Sequence, residues 1–204
     1  MSSPHDTVVI VVCKAPEKGR VKTRLAKDIG EERACHVYSV MMAMLFANLH
    51  AGVDYDVCAC VDGDITLVQA GNLEPIPQRG EDLGERIINS MEDCSGYPKM
   101  IVIGSDTPTV TSSVILRAMN DLNTADVVIG PAADGGYYLL GMKEIRRELF
   151  NNINWSTDAV CAQTAEHARA HNLRISKLET LRDIDTVHDL QAVMPSLFDA
   201  LRYS

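Results

Sequence analysis

Short apolar runs alternate with amphipathic stretches along this chain, and the alternation predicts strands and helices in succession. Thr7–Lys14 is short, β-branched and apolar on both faces, as buried parallel strands are. After a polar, basic segment, Glu31–Leu49 shows helical spacing and is rich in Met, Ala and Leu. Tyr55–Val61 predicts a second strand, closed by Asp62-Gly63. Residues 64–81, with Gly71, Pro75, Pro77 and Gly80, predict loop with one short strand. Asp82–Cys94 reads as a helix capped by Asp82, and Lys99–Ile103 as a third buried strand. A helix over Ser112–Leu122 follows "GSDTPT", and Asp126–Ile129 leads into "GPAADGGYYLLGM", where Tyr137–Met142 is a further strand. Lys143–Asn151 and Thr157–His171 look helical, Leu173–Leu178 reads as a strand, and "DIDTVHDL" opens the final helix.

Strands alternating with helices imply an α/β fold with a mainly parallel sheet in three layers, α/β/α. No repeat or linker interrupts the 204 residues, so 1–204 reads as a single domain. Right-handed crossovers place ligand sites of such folds at the carboxyl ends of the strands. The polar motifs of this chain fall there, one after another.

Composition removes several function classes. A formal charge of −9 argues against a nucleic-acid or anionic-membrane partner, because both select a broad basic surface. The six cysteines include no C-x-x-C pair and mostly fall inside apolar runs, so buried reduced thiols are expected and a zinc site is not. No apolar run reaches the ~20 residues of a membrane span. "MSSPHDT" lacks the layout of a secretory signal, and a soluble, cytoplasmic protein is expected. His167 and His171 share a helix face without a metalloprotease glutamate, and no G-x-S-x-G elbow is present.

The charge is unevenly spread. Of 19 basic residues, Lys14, Lys18, Arg20, Lys22, Arg24 and Lys27 lie within one short segment, offset locally by Glu17. This segment follows the first strand, contains Pro16 and Gly19, and precedes a helix, which suits a polyphosphate cradle. It matches neither the Walker A pattern nor the dinucleotide glycine pattern. Asp106, directly after a buried strand in "IVIGSDTPT", can meet a divalent cation that bridges phosphate oxygens. Asp134-Gly135-Gly136 suits either close backbone approach to a ligand or a hairpin turn, and Tyr137 or Tyr138 could line a pocket. In "LRDIDTVHDL", Asp183 and Asp185 alternate on an extended segment, while Thr186 and Asp189 fit a helix cap; Asp185 is the better second metal ligand. Trp155 could be a stacking platform or a core aromatic.

In this order, "K-A-P-x-x-G-x-V-K-T-R-L", "Q-R-G-E-D-L-G-E-R", "G-S-D-x-P", "D-G-G-Y" and "D-I-D-T" resemble a GT-A-like family of small transferases known as glycosyltransferases. Relatives of that family include nucleotidyltransferases that make molybdopterin dinucleotides and phospholactyl-guanosine compounds. The resemblance spans Val8 to about Leu190 and implies the nucleotide-diphospho-sugar transferase (GT-A, Rossmann-like) fold. It implies that Lys14, Gly19, Arg20, Lys22, Thr23 and Arg24 embrace nucleotide phosphates, with Gln78, Gly80 and Asp82 near base and ribose. Asp106 and Asp185 would hold Mg²⁺ (or Mn²⁺), Lys22, Arg24 and Asp106 would be catalytic, and Asp134, Gly135, Gly136, Tyr137 and Trp155 would face the acceptor. The implied partners are a nucleotide and a small-molecule acceptor, and the chain is compatible with a homodimer. Two departures stand out. Val187 and His188 replace a Pro-Glu pair common in relatives, and "GSDTP" offers one aspartate where glycosyltransferases usually carry D-x-D. The function implied is transfer of a glycosyl or nucleotidyl group; the alternative is a non-catalytic nucleotide sensor on the same fold.

Overall fold

A computed structural model describes residues 5–50, 54–68 and 70–202; the first four residues of the leader lie outside that range. In chain order the elements are β1 (Thr7–Lys14), α1 (Thr23–Ile29), α2 (Glu31–Leu49), β2 (Asp56–Asp62), β3 (Ile76–Pro77), α3 (Leu83–Asp93), β4 (Lys99–Gly104), α4 (Ser112–Asp121), β5 (Val127–Pro131), β6 (Tyr137–Met142), α5 (Val160–Ala170), β7 (Ile175–Lys177), α6 (Val187–Val193) and α7 (Pro195–Arg202). The seven strands form one sheet in the order β3-β2-β1-β4-β6-β5-β7. Only β6 runs against its neighbours, because a tight turn returns the chain from β5 directly.

Each strand of the sheet centre feeds two cores, since side chains alternate across a pleated strand. Val9, Val11 and Cys13 of β1 pack under Tyr38, Met42 and Leu45 of α2 and Ile115 of α4. Val8 and Ile10 pack against Ile87 and Met91 of α3 and Cys161 and Ala165 of α5. Helices therefore cover both faces, which is why β1 and β2 are apolar throughout. A smaller third cluster joins Leu25 of α1, Val37 and Met41 of α2, Ile184 from the segment before α6, and Leu190 of α6.

Three sequence expectations needed correction. The basic segment contains a helix, α1, which buries a single residue, Leu25, and so carries too thin an apolar stripe to be seen in the pattern. Lys143–Asn151 forms only a 3₁₀ turn at Arg147–Phe150, which buries Leu149 and Phe150. The terminal helix is two helices, because Pro195 cannot continue α6 and instead starts α7. All six cysteines are free thiols, five of them buried. Among the described residues no helix is long and apolar enough to cross a membrane.

Candidate functional site

The carboxyl ends of β1, β2, β4 and β5 share one edge of the sheet with the turn that opens β6. Lys22 reaches into the middle of this edge. Its backbone is left-handed (φ 46°, ψ 46°), an uncommon state for a residue with a Cβ. Its side chain is only 3% exposed. The ammonium lies 2.5 Å from Asp106 Oδ1, 2.5 Å from the Ile184 carbonyl oxygen and 3.1 Å from Asp185 Oδ1. Three donors thus meet three acceptors, two of which are the carboxylates expected to hold a metal.

Local structure explains this convergence. Asp106 follows β4, whose end is tied to β1 through Tyr38 of α2. The Tyr38 hydroxyl accepts from Lys14 N–H (2.9 Å) and lies 3.0 Å from Ser105 Oγ. Residues 181–185 are laid along the same edge: Leu181 N–H donates to Pro131 O at 3.1 Å, and Ile184 N–H to Asp106 O at 2.9 Å. A capping box then fixes α6, with Thr186 N–H donating to Asp189 Oδ2 at 3.0 Å and Asp189 N–H to Thr186 Oγ1 at 3.3 Å. The Val187-His188 departure leaves this helix start intact.

Asp183 joins the site, and the sequence reading had not made it a ligand. Burial pushes its carboxyl up to about 6, and the negative charges of Asp134, Asp185 and Asp106 add to the shift. Asp183 thus lies close enough to Asp134, Asp185 and Asp106 to feel their charge, and two of these four carboxylates, Asp106 and Asp185, contact Lys22. The D-x-D spacing of Asp183 and Asp185 was the available signal; the Ile184 carbonyl, a backbone group, had none.

The basic segment is less free than its charge count suggested. Arg20 pairs with Glu17 at 3.1 Å and with Asp62 at 3.5 Å; Lys18 lies 3.8 Å from Glu32, and Arg24 3.5 Å from Asp185. Lys14 and Lys27 have no ion-pair partner among the described residues. Gly19 and Thr23 are exposed, Gly19 at φ 80° in the turn and Thr23 at the first position of α1.

The remaining candidates divide. Gln78 spends its amide N–H groups on the carbonyls of Cys13 (2.7 Å) and Cys60 (3.0 Å), stitching β1 to β2. Asp82 caps α3, accepting from Glu85 N–H at 2.9 Å, and Gly80 packs against Glu85 in a left-handed turn (φ 134°). Trp155 stands over Gly84 of α3, where a Cβ would lie 2.7 Å from its ring. Asp134 accepts from Gly136 N–H at 2.9 Å, so the Asp-Gly-Gly segment is a hairpin turn. Gly135 does allow a close backbone approach, but the approaching backbone is that of Asp158. Tyr137 turns its hydroxyl into the core beside Thr164 of α5, away from the strand-end edge.

Two carboxylates within reach of one cationic atom form the kind of donor set that magnesium completes with phosphate oxygens and water. No cluster of three or more His, Cys, Asp or Glu suited to a metal occurs among the described residues. Asp106 and Asp185 alone would therefore supply too few ligands. They could hold a divalent ion such as Mg²⁺ (or Mn²⁺) only where a ligand's phosphate oxygens and water completed its shell.

A mainly parallel three-layer sheet, with an acidic and basic site at its carboxyl edge, defines the nucleotide-diphospho-sugar transferase, or GT-A-like, fold. The chain belongs to the family of uncharacterized proteins conserved in bacteria (DUF2064), whose pattern matches residues 48–157. A crystal structure of a provisionally named nucleotide-diphospho-sugar transferase from Desulfovibrio desulfuricans G20 is similar, with TM-score 0.89 and 30% identity over 98% of this chain and 95% of that one. CMP:2-keto-3-deoxy-manno-octonic acid synthetase, solved with CTP, superposes with TM-score 0.61 at 14% identity, over 96% and 99% of the two chains. The inositol-1-phosphate CTP transferase of T. maritima gives 0.59 at 12%, over 99% and 98%. At these identities the last two establish shared fold alone. No curated protein sequence matches.

Proposed function

We propose that this protein is a metal-dependent transferase that uses a nucleotide diphospho-sugar and passes its glycosyl group to a hydroxyl-bearing small molecule. The observation that carries this reading is the Lys22 ammonium held between Asp106 and Asp185 at the carboxyl edge. The names of the similar structures, which include a nucleotide-diphospho-sugar transferase and two CTP-using enzymes, support a nucleotide-dependent transfer.

In this reading Lys22, Arg24 and the loop before them face the diphosphate, and Asp106 and Asp185 hold Mg²⁺ (or Mn²⁺). The ion supplies charge neutralisation on the departing diphosphate. The protein's own groups orient the donor and oppose the charge that develops as the bond breaks. Asp134 and Asp183 lie on the acceptor side, where their charge favours a neutral polyhydroxylated molecule over an anion. Nucleotidyl transfer from a triphosphate was equally attractive while all six cations of the segment counted as free. Carboxylates from other elements engage four of them, Lys18, Arg20, Lys22 and Arg24, and this weakens the case for so highly charged a ligand.

A thermal-shift panel of nucleotide sugars and nucleoside triphosphates, with and without Mg²⁺, tests the reading. A ligand at ~100 times its dissociation constant contributes roughly 2.7 kcal/mol to stability. Metal-dependent stabilisation by a nucleotide sugar, followed by nucleoside diphosphate release with an acceptor, is expected. Pyrophosphate release from a triphosphate would move the assignment to nucleotidyl transfer, and metal-indifferent binding without product to a sensor.

A further inference from the structure

We infer that Lys22 is an internal placeholder for the metal ion, and that it couples metal binding to nucleotide binding. The inference rests on the function proposed above and specifies how its site is guarded. Three observations meet at this residue. Its ammonium contacts both candidate metal carboxylates at once, at 2.5 and 3.1 Å, with the Ile184 carbonyl completing its donors. Its side chain is almost wholly buried, while Asp106 and Asp185 keep side-chain exposures of 53% and 34%. Its backbone is held left-handed at the junction between the basic loop and α1, so the side chain is aimed inward across the strand ends.

A divalent ion and this ammonium compete for the same oxygens. A metal arriving alone must displace a fully satisfied lysine, leaving the buried ammonium with the Ile184 carbonyl but without its two carboxylates, which is costly. A nucleotide diphosphate removes that cost, because its oxygens offer the ammonium new acceptors a short swing from the old ones. Metal and nucleotide therefore bind well together and the metal binds poorly alone. By linkage, each raises the affinity of the other by the same factor. The site then does not fill with a free ion when no donor is present.

The test measures Mn²⁺ binding by electron paramagnetic resonance on the full chain, first without nucleotide and then with UDP, GDP or CDP. Wild type is compared with Lys22→Met and Lys22→Gln, which are unbranched along most of the lysine's length, one atom shorter, and uncharged. Thermal melts check that each variant is folded, which is expected because Lys22 lies outside all three hydrophobic clusters. Asp106→Asn serves as the ligand control. The expected result is weak Mn²⁺ binding to wild type alone and strong binding with nucleotide. Either Lys22 variant should bind free Mn²⁺ more tightly by on the order of tenfold, within the usual range of coupling between sites. The enhancement of Mn²⁺ affinity by nucleotide should also shrink in these variants. Equal affinity of wild type and Lys22 variants for free Mn²⁺ overturns the inference while leaving the proposed function standing. Undiminished binding in Asp106→Asn overturns it too, because the ion then sits elsewhere. If no protein binds Mn²⁺ even with nucleotide, the proposed function itself falls and the inference falls with it.

Discussion

Gly135 touches the backbone of Asp158 so closely that a Cβ on it would lie 2.2 Å from the Asp158 carbonyl oxygen. Its own carbonyl accepts from Cys161 N–H at 2.9 Å, which pins the β5–β6 turn to the start of α5. Gly135 also sits at φ 92°, which disfavours any residue with a Cβ. Gly135→Ala should cost roughly 2–3 kcal/mol from strain and overpacking together. Gly104→Ala is the control, because a Cβ there meets nothing within 4 Å. Melting temperatures of the two variants check this: a large drop for the first and little change for the second.

Lys22→Ala and Asp106→Ala should each lower turnover by at least ~100-fold, in line with the loss of a preorganised charge at a transition state. Both proteins should still unfold cooperatively, since Asp106 is half exposed and Lys22 lies outside all three hydrophobic clusters. Steady-state rates with the donor identified by the panel measure the effect; wild-type rates in either variant would remove these residues from the active site.

Gln78 distinguishes a structural role from a binding role. Gln78→Ala leaves the carbonyls of Cys13 and Cys60 without their side-chain donors and should cost ~1–2 kcal/mol in stability. Nucleotide affinity, measured by calorimetry well below the melting temperature, should change little. A large loss of affinity with unchanged stability would return Gln78 to the nucleotide-binding set.

Asp126 reports on acid sensitivity. The Arg174 guanidinium donates to both its oxygens, at 2.9 and 3.0 Å, and holds its carboxyl well below the usual carboxylate range. A folded-state value below the unfolded one, about 3.9, contributes stability that is fully present above that value. The contribution is lost as pH falls towards the folded value. The melting-temperature gap between wild type and Asp126→Asn should be constant from about pH 5 to 8 and narrow below about pH 4. A gap that widens in acid contradicts this sign.

The main elements were legible because their patterns are physically simple. The all-apolar run of β1 can only be a strand buried on both faces, and α2 carries a wide stripe from Ala34 to Leu49. Asp82 and Thr186 were readable as caps because capping depends on neighbours three residues away. Elements held by distant parts of the chain were not. The helix α1 is kept in place by a small cluster with α2 and α6, so seven residues with one buried side chain left no periodic mark. The Asp-Gly-Gly turn was recognisable as a special backbone, but its partner, Asp158, lies 23 residues further on.

Sequence alone determined the α/β class, the parallel strands with covering helices, the reduced thiols, and a basic loop followed by carboxylates at successive strand ends. These follow from local patterns and from the handedness of strand–helix–strand connections. Only the tertiary structure decided how those charges meet. It set Lys22 between Asp106 and Asp185, brought Asp183 within reach of the charges of Asp134, Asp185 and Asp106, and matched Lys18, Arg20 and Arg24 with acids that include Glu32, Asp62 and Asp185. Coulombic interactions act over a few ångströms of space regardless of separation along the chain. The distance between residues 22, 106 and 185 is therefore a property of the fold, and with it the identity of the site.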